Sequence, residues 1–255
     1  MTTPFASYPS LQDRGVLITG GATGIGATLV SEFVAQGARV GFVDLDAAAG
    51  AALAASLSGA RHAPIFVAAD LTDIEVLDAA IATVRKTVGP ITALLNNAAN
   101  DMRHSIDSVT SESWDAAVAV NLKHQFFAAR NVAADMKAAG GGSIINFGSV
   151  SWMLKQGNMP VYTTSKSAVQ GLTRSLARDL GPFKIRVNTL VPGWVMTERQ
   201  LRLWFDDKGR EDVARGQCIN EKVMPVHIAR MAMFLAADDS AMCTAQDFIV
   251  DGGWV

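Results

Sequence analysis

The sequence predicts an α/β fold: a single Rossmann-type, doubly wound domain with a seven-stranded parallel sheet and helices on both faces. Three observations predict it. Seven short apolar or β-branched runs alternate with longer helical stretches along the 255 residues, which is the pattern of βαβ units. The runs are apolar without alternation, as in Gly15-Val16-Leu17-Ile18 and Ser143-Ile144-Ile145-Asn146, so the strands should be buried on both faces. A glycine-rich turn follows the first run and opens a helix, where a dinucleotide-binding turn belongs.

The expected strands are Val16–Thr19, Val40–Val43, Ile65–Val67, Ala93–Asn96, Ser143–Phe147, Ile185–Val191 and Phe248–Val250. The alanine-rich stretch after Asp46 predicts a helix, because alanine has the highest helix propensity. Trp114–Lys137 reads as one helical stretch. Tyr162–Leu180 reads as another, with Val169, Leu172, Leu176 and Leu180 on one stripe. The rhythm breaks at Glu198–Met224, an insertion before the last helix and strand. Insertions of this kind in compact domains are lids or binding loops, and this one is expected to be a substrate lid at about 198–224. Its plainer reading is a surface helical hairpin. Nothing marks a linker or a repeat, so residues 1–255 are expected to form one domain.

Composition removes several classes. Apolar residues make up 49%, enough for a large core. The net charge is −2, so there is no basic field for nucleic acid or anionic lipid. The four histidines show no metal-ligand spacing. The uncharged run Gly15–Ser31 holds five glycines and reads as strand, turn and helix rather than a membrane span. The two cysteines, Cys218 and Cys243, form no pair motif, and the N-terminus lacks the pattern of a signal peptide. Both point to a cytoplasmic protein.

The turn is Thr19-Gly20-Gly21-Ala22-Thr23-Gly24-Ile25-Gly26. Gly20, Gly24 and Gly26 permit a tight turn, close approach of backbone to a pyrophosphate, and close packing of helix on sheet. The helix beginning there offers free N–H groups and the positive end of its dipole to phosphates. The second strand ends at Asp44, near the spacing at which a carboxylate accepts hydrogen bonds from a ribose. Asp44 would also repel a 2′-phosphate, and neither Leu45 nor Thr23 supplies an offsetting cation, so NAD is expected rather than NADP. The alternative for Asp44 is a helix N-cap. Asp70-Leu71 after the third strand and Asn97-Ala98-Ala99 after the fourth fall on the carboxyl edge of the sheet, where ligands bind.

Tyr162 and Lys166 are four residues apart and share a helix face. A phenol with a reference pKa of about 10 is a poor base at neutral pH. A neighbouring ammonium and a positive nicotinamide ring should lower it, and the tyrosine would then take a proton from an alcohol as hydride leaves. Ser149, thirteen residues earlier, would hold the substrate oxygen. Asn121 would hold a water that links Lys166 to solvent. The plainer readings are a helix-surface pair, a turn serine and a solvated helix face.

Together these motifs, with Ile185-Arg186-Val187-Asn188, Pro192-Gly193-Trp194-Val195-Met196-Thr197 and the terminal Val-Asp-Gly-Gly-Trp, resemble the short-chain dehydrogenase/reductase family over nearly the whole chain. The resemblance implies a catalytic tetrad of Asn121, Ser149, Tyr162 and Lys166. It implies that Lys166 also binds the nicotinamide ribose, and that Pro192, Gly193, Val195 and Thr197 cradle the nicotinamide and phosphates. Ala99 stands where the family usually has glycine. Other stretches, among them Asn100–His104, Asn146–Trp152 and Arg199–Trp204, look like bacterial aldose 1-dehydrogenases of the D-xylose, L-arabinose or D-galactose type. That likeness implies oxidation of a cyclic sugar at C1 to a lactone; the wider family resemblance implies a homotetramer.

A sugar site needs polar partners and an aromatic wall. Asp101, Arg103, His104, Ser151, Gln156, Asn158 and Gln200 are candidates for the former, and Trp152, Trp194 and Trp204 for the latter. Competing readings are a dehydrogenase of another secondary alcohol (a polyol, hydroxy acid, 3-oxoacyl compound or steroid) and a protein that senses NAD without turnover.

Overall fold

A computed structural model describes residues 5–255. It contains one sheet of seven parallel strands in the order β3-β2-β1-β4-β5-β6-β7. The strands are β1 Gly15–Thr19, β2 Arg39–Asp44, β3 Ile65–Ala68, β4 Ile91–Asn96, β5 Gly142–Phe147, β6 Ile185–Pro192 and β7 Asp247–Val250. Each expected strand is present, most of them extended by one or two residues.

The absence of alternation in these strands has a direct cause. Val16 and Ile18 pack into the core on one face of the sheet, while Leu17 between them packs into the core on the other. Ile145 and Ile144 divide in the same way. Successive side chains point to opposite faces, and here both faces are dry. The first core is closed by α1 (Gly24–Ala35) and α9 (Pro225–Ala236), through Leu29, Phe33, Ile228 and Ala232. The helix α2 (Ala47–Ser56) leans on its edge through Leu53 and Ala54. The second core is closed by α3 (Ile74–Val88), α5 (His124–Ala138) and α6 (Pro160–Leu180), through Leu77, Ile81, Val132 and Leu176.

Local signals set the helix starts. Asp73 accepts from the N–H groups of Glu75 and Val76 and so starts α3. Pro160 opens α6 two residues before the expected start at Tyr162, in the first-turn position that tolerates proline. The stretch expected as one helix over Trp114–Lys137 is divided. It comprises α4 (Ser111–Val118), a π-helical turn (Ala119–Lys123) and α5. Asn121 lies in that turn, and its side-chain amide donates to the carbonyl of Ala117 at 2.9 Å.

Strand order reverses at β1 and β4, so connections leave their carboxyl ends in opposite directions and open a crevice there. Glu198–Met224 roofs one end of it as two short helices, α7 (Glu198–Leu203) and α8 (Asp207–Gly216), followed by a loop. A lone bridge between Val195 and Val223 pins the base of this segment. Among the described residues no helix is long and apolar enough to cross a membrane, and no cluster of metal-ligating side chains occurs.

Candidate active site

The crevice is a cleft of about 1410 Å³ lined by the glycine turn, the ends of β2, β4, β5 and β6, the start of α6, and α7. At one end its wall is backbone. The turn after β1 is held by Asn97, whose side-chain N–H donates to the carbonyls of Gly20 (2.8 Å) and Thr19 (3.2 Å). A Cβ on Gly26 would lie 1.8 Å from the Gly20 carbonyl oxygen, so only glycine fits. Gly20 has φ +66° and touches Ala98, leaving the same choice. The result is an α1 N-terminus with free N–H groups beside Thr23, Gly24 and Ile25, all facing the cleft.

Asp44 lies at the end of β2 and lines the cleft with Leu45. Its carboxylate accepts from the N–H groups of Ala22 (2.8 Å) and Asp46 (3.0 Å). The N-cap of α2 is Asp46, which accepts from Ala49 N–H, so the capping alternative for Asp44 does not hold. Asp70 and Leu71 line the same end. Thr72 donates to Asp70 through both its N–H and its hydroxyl, which holds that carboxyl below its usual range. Ala98, Ala99, Pro192, Gly193, Val195 and Thr197 complete the lining. Ala99 is exposed, so its methyl points into open cleft and not into backbone. A phosphate-sized cradle that side chains would fill, beside a carboxylate with no cation in Leu45 or Thr23, suits a dinucleotide whose adenosine ribose sits at Asp44.

Ser149, Tyr162 and Lys166 meet deeper in the cleft. Ser149 begins the short turn after β5, and its hydroxyl accepts from Ser151 N–H at 3.2 Å. Lys166 is buried and donates to the carbonyl of Phe147 at 2.8 Å. Its ammonium lies 5.7 Å from the centre of the Tyr162 ring. Burial pulls the Lys166 ammonium down to about 7, against an upward push from Asp101. Burial likewise pushes Tyr162 up to about 12, outweighing the downward effects of the Ser149 hydroxyl and Arg103. The sequence led to the opposite expectation for Tyr162, a phenol lowered by its lysine. In the protein alone, the loss of hydration wins over charge.

Asn121 is fully buried, which excludes a solvated helix face. Its side-chain oxygen accepts from Asn100 N–H (2.9 Å), and its amide donates to the Asn100 carbonyl (3.1 Å). It does not line the cleft itself; it clamps the loop that does. Beside it His124 is also buried, and burial next to Lys166 drops its imidazole to about 3.

The substrate candidates divide. Ser151, Gln156, Trp194 and Gln200 line the cleft with Ser149 and Tyr162. Four others, Trp152, Trp204, His104 and Asn158, do not. Trp152 ends the short turn after β5 and lies outside the lining, so its large ring makes no wall. His104 and Asn158 face a separate pocket of about 470 Å³ behind Arg103 and Trp204. His104 bonds the Met102 carbonyl through Nδ1 (2.9 Å) and accepts from Val161 N–H through Nε2 (3.3 Å), which occupies both nitrogens in holding the start of α6. Asn158 has φ +59° at a bend, and its carbonyl accepts from His104 N–H. Among the tryptophans, Trp204 stacks on the Arg103 guanidinium at 5.1 Å. Trp254 was not foreseen as a cleft residue, yet it lines the cleft and sits 6.4 Å from Trp194. The only sequence signal for it was the terminal Gly-Gly-Trp.

An open parallel sheet with a glycine cradle and, in the same cleft, a half-buried tyrosine beside a buried lysine defines a dinucleotide-binding domain built for redox chemistry. Residues 20–255 match a family model described as Enoyl-(Acyl carrier protein) reductase. "Probable galactose dehydrogenase GalD" of Rhizobium meliloti (strain 1021) is 44% identical over 254 residues, covering 99% of each chain. The D-xylose 1-dehydrogenase of Caulobacter vibrioides (strain NA1000 / CB15N) is 42% identical over 249 residues, covering 98% of each. A blue fluorescent protein from a metagenomic library, solved with NADPH, superposes with a TM-score of 0.89 at 30% identity, covering 96% of this chain and 99% of its own. The chain belongs to the short-chain dehydrogenase/reductase family of oxidoreductases, which use nicotinamide cofactors.

Proposed function

We propose that the protein is an NAD-dependent dehydrogenase that oxidises an aldose at C1 to the aldonolactone. The observation that carries this reading is the convergence of Ser149, Tyr162 and Lys166 at the inner end of a cleft whose outer end combines polar groups with tryptophan. The relatives named for galactose and D-xylose support the sugar.

In this reading the nicotinamide, when bound, supplies the hydride acceptor. The remaining work belongs to the chain. Ser149 holds the anomeric oxygen, and Tyr162 takes its proton while the C1–H bond breaks and the C1=O bond forms. Tyr162 is protonated near pH 7 in the protein alone, so it becomes a base only when positive charge is brought beside it. Proton abstraction is thereby tied to cofactor occupancy. Lys166, poised near neutrality, passes the proton on. Asn121 acts as a positioning residue that fixes the loop carrying Ala98 and Ala99. Asp44 selects NAD over NADP by bonding the ribose hydroxyls and repelling a 2′-phosphate. Gln156, Gln200 and Ser151 give the sugar hydroxyls partners, with Trp194 as apolar wall.

The segment 198–224 acts as the lid in this account. A homotetramer is supported by Trp114 and Phe126, apolar side chains about two-fifths exposed on α4 and α5, and a cytoplasmic setting by two unpaired cysteines. A panel of aldoses and polyols with NAD and NADP, followed by absorbance of the reduced cofactor, tests the reading. Turnover of aldoses with NAD is expected. Activity confined to polyols or steroids, or none with any alcohol, would overturn it.

A further inference from the structure

We propose that Asp101 is a positioning residue that fastens the lid helix α7 to the loop after β4 and sets the shape and the field of the substrate end of the cleft. The proposal rests on the reading of this end as the sugar site and of Tyr162 as its base.

Asp101 is tied on both sides. One carboxylate oxygen accepts from Arg199 Nη1 at 2.5 Å, and the other accepts from Gln200 Nε2 at 2.7 Å. Gln200 in turn accepts from Trp194 Nε1–H at 3.0 Å. Asp101 therefore controls where both an amide and an indole of the cleft wall stand. Behind it, Asn100 is held at N–H and carbonyl by the buried Asn121 side chain. A continuous set of bonds thus runs from the π-helical turn, through two adjacent residues of the loop, into the lid. The Asp101 side chain is 22% exposed and Arg199 41% exposed. A lone surface ion pair contributes little, but here a carboxylate with both oxygens engaged joins the β4 loop to α7, beside the Arg103–Trp204 stack and the contact of Arg199 with the Met102 sulfur.

The same carboxylate reaches the reacting groups through its charge. Burial dominates both; the negative charge of Asp101 adds to the upward shift of Tyr162 and opposes the downward shift of Lys166. The other groups facing them are Arg103 from the same loop, Ser149 from the turn after β5, and His124 from α5. Glu198, Arg202, Asp212 and Arg215 of the lid line the outer cleft. Arg199 shares the latch with Asp101, but its charge is opposite. Breaking the latch and removing the negative charge are therefore separable.

The experiment compares D101N and R199M with wild type in the full-length, NAD-saturated protein. Backbone amide exchange of residues 198–203 should accelerate at least about tenfold in both variants, as expected for the loss of a charge-assisted bond. The KM for the sugar that wild type turns over best should rise about tenfold in both. Only D101N should move the acidic limb of kcat/KM, by about half a pH unit or more toward lower pH, because a lowered Tyr162 stays deprotonated further into acid. R199M should leave that limb in place or move it the other way. Unchanged exchange in both variants overturns the latch, and identical pH profiles in the two variants overturn the field. If wild type oxidises no sugar, the proposed function fails while the exchange measurement still decides the latch.

Discussion

At the β1–α1 turn the cleft wall is backbone, held by Asn97 on the carbonyls of Thr19 and Gly20 and closed to any side chain at Gly26. At the opposite end, between the β4 loop and α7, the wall is side chains bonded to side chains, from Asp101 through Gln200 to Trp194. A backbone wall takes one shape whichever ligand arrives, and binds the part that all dinucleotides share. A side-chain wall can be re-cut by a few substitutions without disturbing the sheet. The difference teaches why a constant cofactor and a variable substrate can be served by one crevice.

The comparison breaks first at Tyr162. Tyr162→Phe should lower kcat by about 10²–10⁴-fold while NAD binding, read by quenching of tryptophan fluorescence, is retained. Full turnover would remove the chemistry from the point where the two walls meet. Gly26→Ala comes next. Its methyl has no room beside the Gly20 carbonyl, and the overpacking costs about 1–3 kcal/mol. Calorimetry should show a lowered Tm and cofactor titration a weakened Kd. A variant with normal NAD affinity would mean that the backbone wall is more plastic than described.

Asp44→Asn should reduce the preference for NAD over NADP in kcat/KM by about tenfold or more; an unchanged ratio would place the selectivity elsewhere.

The inner wall also leaves a pH signature on stability. Lys166 falls from its ordinary 10.5 to about 7 in the folded protein, so the unfolded chain binds the extra proton between those values. Its contribution therefore rises as pH rises from about 7 toward 10.5 and is lost as pH falls through 7. Tyr162, moved from 10.0 to about 12, acts oppositely above pH 10. Without cofactor, Lys166→Met should raise Tm at pH 7, and the gain should shrink by pH 9.5; a pH-independent gain would contradict the burial argument. The smallest effect is expected at Ala99→Gly. Its methyl faces open cleft, so NAD affinity should change by no more than about 0.5 kcal/mol.

The fold was legible because its signals are local and redundant. The apolar runs that mark β1 or β5 hold whichever face a residue takes, and Gly20, Gly24 and Gly26 mark a turn whose geometry leaves no other residue. The Tyr162–Lys166 spacing was legible for the same reason, since one helical turn fixes a shared face. The sign of the Tyr162 shift was not, because desolvation depends on everything packed around the phenol and not on its helix neighbour. The substrate end resisted reading for a related reason. His104 and Asn158 stand close in sequence to cleft residues, but the bend at Asn158 and the bond from Val161 N–H to His104 turn them to the far side of Arg103. Asp101 and Gln200 were visible as polar candidates, while their mutual bond lies across 99 residues of sequence. Long-range pairing of that kind leaves no local trace.

The π-helical turn at Ala119–Lys123 carries a consequence for how this chain can vary. Such a turn holds one residue more than an α-helical turn. Removing a single residue from it would restore an unbroken helix from Ser111 to Ala138 and strengthen it locally. The same deletion would leave the flanking halves facing as they do but abolish the widened turn, and with it the position from which Asn121 bonds Ala117 and Asn100. Length at this position is therefore as constrained as residue identity. Substitutions in the turn should be tolerated more readily than any deletion there.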